Sequence, residues 1–548
     1  MVSPMESRAT VPAAGAEARP EEALANPRPV VRRANARGRL DPRTWPSELV
    51  AALPPALIGL ALYVRTLMPG LGVWDTAEFQ AIGPVLGVAH PTGYPTYTLL
   101  AWLAAVVLQP FGDEALRANL LSALLVAAAA GLVAATVTML TRRVVAGLAA
   151  GIGLAIAEQV WRVALSADPH ALHLFFVALL LFLLVGWMRR VTEGRRADNW
   201  LLIAAVVFGL SLGNHALTAL LAPGIAIFVF AVSPALLRRP RFVAACAAAA
   251  ILTTVEVYAY LPIRAAMDPP LNYANPSTWE GFSYVVLGQQ FQGSFGNLPP
   301  MGEVMTVIAD WNWEQVGLLA LAAPVGAAML LFRRPALLLL LLASFGATWW
   351  FSIGYVNAAL ERYYLGPLAI VAVLGGLAVA GLIDIAFHIG RRQPELSALR
   401  SPAWVLGAFA VLFIGTALIG APDTLRAVDQ SGNDGGRRWV DSVMPRLEQD
   451  AVVVSWWSFS TPMWYAQFVE GQRPDVFVVD DRTMLDLELG QAHDVIDSYL
   501  GQRPVYLIRL DGDLPFYQER YELEPVADVL PMWGGTVHRV LGPSDRAE

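Results

Sequence analysis

The sequence contains no lysine, so all 38 of its lysine-or-arginine positions are arginine. That absence excludes chemistry built on a Schiff-base lysine or on a phosphate-cradling P-loop lysine. A single cysteine, Cys246, lies in the apolar run 242–261, which excludes a disulfide framework and a cysteine metal site. The 7 histidines are scattered without HExxH-like spacing. Charge is scarce, at 15% of 548 residues against 56% hydrophobic, with a mean hydropathy of +0.50, where a soluble domain carries roughly 25% charged residues. These values imply a polytopic membrane protein whose chemistry must use carboxylate, histidine, arginine or tyrosine.

Residues 1–45 are rich in Ala, Pro, Glu and Arg, lack hydrophobic periodicity, and read as a disordered cytoplasmic tail ending in Arg32, Arg33, Arg37, Arg39 and Arg43. No cleavable signal peptide is visible. The first apolar run, 49–68, has the roughly 20 residues a span requires. Further runs of near-bilayer length follow at 118–140, 144–165, 169–188, 199–213, 216–233, 242–262, 314–332, 336–352, 364–387 and 403–420. Arginines collect in alternate loops, at Arg142-Arg143, 189–196, Arg238-Arg239 with Arg241, Arg333-Arg334 and Arg391-Arg392, and the positive-inside rule assigns these to the cytoplasm. The run 96–110 is too short for a comfortable span and would reverse that parity, so it is expected to be re-entrant or interfacial. The expectation is an all-α membrane domain over 46–422 with about eleven crossings, N-terminus inside. Residues 423–548 turn polar and show β-like runs at 451–455, 476–479, 505–509 and 536–541, with a helix over 462–470. They are expected to form a small extracytoplasmic α/β domain.

The loops between the arginine-bearing ones carry unusual polar residues. They are 75–90, 166–170, 213–215, the long segment 264–313, and 357–364. Polar groups at helix mouths are costly unless they face one another or water. If the five loops converge, Asp75, Glu78, His90, Asp168, His170, His215, Arg264, Arg362, Tyr363 and Tyr364 share one cleft. Carboxylates beside arginines at a membrane surface suit transfer from a lipid-linked phosphate donor, since arginine neutralises the departing phosphate while a carboxylate takes the acceptor's proton. Plainer roles stand beside these. Asp75 and Glu78 complement a helix start, Asp168 before Pro169 is an N-cap, His90 caps a turn, His173 is core, and His215 makes a structural hydrogen bond. Arg264 is an interfacial anchor, Glu361 pairs with Arg362, and Trp456-Trp457 fill a domain core rather than form a sugar platform.

Three strings carry a resemblance: Trp74-Asp75-Thr76-Ala77-Glu78-Phe79, His90-Pro91-Thr92-Gly93-Tyr94-Pro95, and Arg117-Ala118-Asn119-Leu120-Leu121-Ser122-Ala123. With Gly213-Asn214-His215, Tyr260-Leu261-Pro262-Ile263-Arg264, 272–279 and Glu361-Arg362-Tyr363-Tyr364 in the same order, the chain resembles the plexin-type protein O-mannosyltransferases over roughly 47–390. The resemblance implies a GT-C glycosyltransferase fold and a polyprenyl-phosphate sugar, with mannose as the sugar. Family members act on protein hydroxyls, and with the arginine pattern placing the polar loops outside, the expectation is an inverting transfer to an acceptor hydroxyl of a protein or glycan on the outer face of the cytoplasmic membrane. By that analogy Asp75 is the base; in the reading of the polar loops built on it, Glu78 and His90 orient base and sugar, and Arg264 and Arg362 hold the donor phosphate. Tyr94, Asp168, His170, His215 and Tyr363 complete the substrate site. Here Thr92 stands where the family commonly has Pro, and Asp168 where it often has Glu. No cofactor beyond the lipid-linked sugar is expected, divalent-metal dependence stays open, and no nucleic-acid partner is expected. The competing reading is a transporter or flippase of a lipid-linked or anionic substrate through the same cleft.

Overall fold

The apolar runs become helices, and the polar strings between them set where each helix begins and ends. In the computed structural model, residues 46–296, 298–356 and 359–544 are described, and the expected tail 1–45 and Asn357 of the last polar loop lie outside the described residues. Helix α1 (Ser47–Thr66) starts at Pro46, α2 (Asp75–Val85) starts in the first polar loop, and α3 (Pro95–Val107) starts at the proline after Tyr94. Helix α4 (Glu114–Thr141) is capped by Asp113, whose side chain accepts from the Leu116 N–H at 2.8 Å. At 13 residues, α3 is about 20 Å long, short of the roughly 30 Å hydrocarbon thickness.

Around α4 pack α1, the helix Val144–Ala155, the helix Pro169–Thr192 and the long helix Leu365–Arg392. Small residues allow backbones to touch here. A Cβ built at Gly326 would fall 1.9 Å from the Leu374 carbonyl oxygen, so only glycine permits that approach. Among the described residues seven helices are long and apolar enough to cross a membrane, or eight if the bent pair Met301–Val316 and Leu318–Arg333 is one span. The pair meets at 116°, where Gly317 takes a positive φ of 50°. The expected run 144–165 is two helices, Val144–Ala155 and Glu158–Val163. The run 216–233 opens with a 3₁₀ turn over Ala216–Leu221.

Beyond the helix Thr416–Val428, which runs through the expected boundary at 422, comes a five-stranded sheet of order β2-β1-β3-β5-β4. Its strands are β1 (Val452–Val454), β2 (Phe477–Val479), β3 (Val505–Leu510), β4 (Tyr521–Pro525) and β5 (Gly535–Pro543). β2, β1 and β3 are parallel, while β5 runs antiparallel to both β3 and β4. β4 was not expected from sequence: its Glu522 and Glu524 are exposed on an edge strand, where no apolar run is needed. The helix Trp457–Phe468, between β1 and β2, packs against α2. The Tyr465 hydroxyl accepts from the Ala115 N–H at 3.0 Å, and Asp486 Oδ2 accepts from the Ala274 N–H at 3.0 Å. The sheet region therefore roofs the polar loops.

Candidate active site

The first polar loop is held by amides from its own helix and from α4. Gln80 Oε1 accepts from the Gly72 N–H at 2.8 Å, and Gln80 Nε2 donates to the Gly70 carbonyl at 3.0 Å and to Asn119 Oδ1 at 2.9 Å. Asn119 Nδ2 donates to the Met68 carbonyl at 3.0 Å, while Asn119 Oδ1 also accepts from the Ala167 N–H at 2.9 Å. Ser122 Oγ accepts from the Asp168 N–H at 3.2 Å. One turn of α4 thus fixes two polar loops at once, which is the physical content of the string around Asn119 and Ser122.

Asp75 opens α2 and keeps 35% of its side chain exposed. Trp457 Nε1 donates to its Oδ1 at 3.4 Å, and an Arg362 guanidinium nitrogen lies 3.6 Å from its Oδ2. The opposite edge of Arg362 meets Asp168 Oδ2 at 3.2 Å, so one cation bridges carboxylates from two loops. Asp168 is also an N-cap, its Oδ1 accepting from the His170 N–H at 2.8 Å. Burial alone would raise its carboxyl, but Arg362 and His170 hold it far below the usual carboxylate range.

Glu78, one turn from Asp75, is only 3% exposed and spends both oxygens on His90. Oε1 accepts from the His90 N–H at 2.8 Å and Oε2 pairs with His90 Nδ1. Burial disfavours the His90 imidazolium, yet the Glu78 carboxylate outweighs it and raises the ring above its ordinary value.

His170, His215, Tyr94 and Tyr363 form an aromatic floor. The His170 and His215 rings lie 4.7 Å apart, His170 and Tyr363 5.1 Å, and Tyr94 and His215 5.9 Å. His173 joins beneath at 5.7 Å from His215. The buried Nε2 atoms of His170 and His215 have no hydrogen-bond partner. Tyr364 leaves this group and stacks on Trp349 at 3.9 Å. Arg264 also stands apart: its Nε donates to the Leu86 carbonyl at 2.7 Å and NH2 to the Val85 carbonyl at 3.2 Å, closing the carboxyl end of α2. Among the described residues no group of three or more His, Cys, Asp or Glu could hold a metal ion.

Asp75, His90, Tyr94, His170, Arg362 and Tyr363 line one cavity of about 720 Å³. Its opposite wall comes from the sheet region, through Trp457, Asp480, Asp481 and Arg482. Glu78 lies behind this cavity, on the wall of a smaller adjoining one of about 380 Å³. Trp457, expected as domain core, is half-buried with its ring edge-on to His90 at 5.8 Å and to Tyr273 at 5.9 Å. A core position was the natural expectation for a tryptophan pair, and what moved it is the docking of the sheet onto α2.

Sequence reasoning missed Arg482 and Tyr273 as site residues. The Arg482 guanidinium lies 4.6 Å from the Tyr273 ring and 4.7 Å from the Tyr284 ring, and it pairs with Asp486. Its buried Nε and NH1 have no partner. In the sequence Arg482 sits among acids in a soluble-looking stretch, with no membrane pattern to single it out.

The apolar helices define a multi-pass membrane protein, and solved structures share its fold, as the GT-C-like expectation required. The structure superposes with ArnT from Cupriavidus metallidurans bound to undecaprenyl phosphate at a TM-score of 0.58 and 12% identity, covering 88% of this chain and 97% of that one. It superposes with the oligosaccharyltransferase AglB from Archaeoglobus fulgidus, in complex with an inhibitory peptide and dolichol-phosphate, at 0.53 and 13% identity, covering 93% and 77%. Residues 75–237 match the family model of the protein O-mannosyl-transferase TMEM260 N-terminal domain. The protein O-mannosyl-transferase TMEM260 of Mus musculus is 25% identical over 450 residues, 77% of this chain and 61% of that protein. The chain therefore spans about three fifths of the length of that relative. The resemblance drawn from the sequence strings is borne out by these matches.

Proposed function

We propose that this protein is an inverting membrane glycosyltransferase that moves mannose from a polyprenyl-phosphate donor to a hydroxyl, with Ser and Thr of proteins as the acceptor class. The observation that carries this reading is Asp75, an accessible carboxylate on the wall of the cavity of about 720 Å³, with the Arg362 cation 3.6 Å away. The acceptor O–H gives its proton to Asp75 as its oxygen bonds to the anomeric carbon. The bond from that carbon to the phosphate oxygen breaks, and its electron pair leaves on the lipid phosphate. Arg362 and Arg482 are the arginines that line this cavity and take up the developing charge. No cofactor beyond the lipid-linked sugar is needed in this scheme, because a phosphate leaves as a stabilised anion.

Similarity to the mouse protein O-mannosyl-transferase supports the sugar and the protein acceptor. ArnT bound to undecaprenyl phosphate, and AglB bound to dolichol-phosphate with a peptide, support a lipid-phosphate donor. The proposed orientation sets the cavity and sheet region outside the cytoplasmic membrane and the N-terminus inside. It is supported by the arginines gathered at the other helix ends, where Arg143 pairs with Asp384 at 2.6 Å, Arg239 with Asp198 at 2.6 Å, and Arg333 and Arg334 line a small cavity with Asp384.

The test uses purified protein in lipid nanodiscs with radiolabelled polyprenyl-phosphate mannose. Wild type should release or transfer mannose, and Asp75→Asn should lose on the order of 10²–10⁴ in rate. Undiminished turnover by Asp75→Asn would remove the base from the scheme. Donor binding by wild type without any turnover would favour the flippase reading instead.

A further inference from the structure

A second cavity, of about 690 Å³, lies in the sheet region and meets the catalytic one at Asp481 and Leu485, which line both. Its lining comes from the carboxyl ends of all three parallel strands: Trp456 just after β1, Asp481 just after β2, and Arg509, Gly512 and Asp513 at and after the end of β3. The chain leaves β1 for β2 on one side and returns to β3 on the other. The strand order therefore reverses at β1, and in open α/β sheets a crevice at such a reversal, outside the strand carboxyl ends, is where ligands bind.

The chemistry of the groove is specific. Arg509 is 5% exposed. Its Nε donates to the Tyr517 hydroxyl at 3.4 Å, its NH1 donates to the Ile508 carbonyl at 3.0 Å, and the guanidinium lies 5.6 Å from the Tyr517 ring. Its charge is felt by the rim carboxylate of Asp481, short of a direct ion pair. A buried guanidinium compensated only from the rim still carries a desolvation cost, and a ligand anion in direct contact relieves it. Asp481 and Asp513 are exposed on the rim, while Trp456, Phe516 and Tyr517 supply aromatic faces.

We infer that this groove is an acceptor subsite that takes an extended polypeptide segment, with an acidic side chain inserted onto Arg509. A polypeptide fits better than a free anion or a glycan. Backbone N–H groups give the rim carboxylates their donors, apolar side chains lie on the three rings, and one carboxylate meets the arginine. The path to the chemistry is one residue long: Trp456 lines the groove, and its neighbour Trp457 donates to Asp75 at 3.4 Å. A segment seated in the groove thereby presents a nearby hydroxyl to the carboxylate. The inference rests on the glycosyl-transfer reading above and names the recognition element that reading leaves open.

The test uses the full chain in nanodiscs and two synthetic Ser/Thr-containing peptides, identical except that one carries glutamates where the other carries glutamines. Binding is read by fluorescence anisotropy, and mannose release from the labelled donor is read separately without peptide. Wild type should bind the glutamate peptide about 10- to 100-fold more tightly, the scale of a hydrogen bond to a charged group. Arg509→Gln should erase the preference while leaving mannose release unchanged. Phe516→Ala, at an exposed ring, should weaken both peptides a few-fold and keep the preference. Equal binding of the two peptides by wild type, or a preference that survives Arg509→Gln, overturns the subsite. Mannose release without a peptide preference sinks the groove alone, whereas a preference without mannose release sustains the groove and sinks the transfer reading.

Discussion

Asp75 and Glu78 sit one turn apart on α2, and almost everything around the two carboxyl groups differs. Asp75 faces a cavity, is touched by one indole N–H and lies near one arginine that it shares with Asp168. Glu78 points the other way, is sealed from solvent and is saturated by the backbone and ring of His90. An accessible carboxylate with spare lone pairs can receive a proton, whereas a buried one with both oxygens committed holds a loop in place. Spacing along a helix brings side chains near one another, but partners decide what each can do.

The contrast is broken most directly at Asp75. Asp75→Asn should remove on the order of 10²–10⁴ in turnover with little change in thermal unfolding, because the side chain is partly exposed. Glu78→Gln should do the reverse in kind, lowering stability on the order of 3–5 kcal/mol, the cost of breaking a buried pair from one side. The sign follows from His90, whose folded value lies above the ordinary one. The pair's contribution is fully present below about pH 6.5, the ordinary histidine value, and is lost as pH rises through the higher folded value. Thermal unfolding of the Glu78→Gln variant should therefore fall further below wild type at pH 6 than at pH 9. Equal gaps at both values would detach the stability of this loop from His90.

Asp480 sharpens the comparison from a third direction, since it is fully buried on the cavity wall with Oδ2 unpartnered and no arginine paired to it. Burial pushes its carboxyl up to about 6. The unfolded chain ionises first as pH rises, so the folded state loses stability between about pH 4 and pH 6 and regains none above. Asp480→Asn keeps the helix cap over Thr483 and should stabilise the protein by on the order of 2–3 kcal/mol at pH 7.5, with near-equal melting at pH 4. A wild-type melting temperature that does not fall across that window would contradict the assignment. The smallest effect belongs to Arg264→Met, which releases the last carbonyls of α2 and should cost about 1 kcal/mol while leaving the donor KM unchanged. A tenfold rise in donor KM would return Arg264 to the phosphate.

Much of the site was legible because polar residues in an apolar chain are conspicuous. Asp75, His90, Tyr94, His170, Arg362 and Tyr363 were singled out from strings in separate loops, and one cavity collects them. Two positions mislead on sequence alone. Arg264 ends an apolar segment beside tyrosines, as a phosphate ligand or an interfacial anchor would, yet its fork matches the free carbonyls of Val85 and Leu86. Glu361 and Arg362 are adjacent, but Arg362 reaches across to Asp75 and Asp168 while Glu361 lines a neighbouring cavity. On the cavity wall contributed by the sheet region, the tryptophan pair with Trp457 was noticed but read as core, and Asp480 and Arg482 had no signal of their own, because they lie in a stretch whose composition is that of a soluble domain.

The amino-acid order by itself determined the membrane class, the helical runs, the α/β character of the C-terminal stretch and the list of polar residues that had to be gathered somewhere. Each of these follows from local hydropathy and backbone preference, which neighbours in the chain express without help. Tertiary structure alone decided that Asp75 is open while Glu78 is sealed, that Arg362 bridges two loops, and that the sheet region closes the cavity over them. Apart from the nearby Glu78–His90 pair, those outcomes depend on contacts between segments far apart in the chain, such as Trp457 with Asp75, and packing sets them where no local pattern records them.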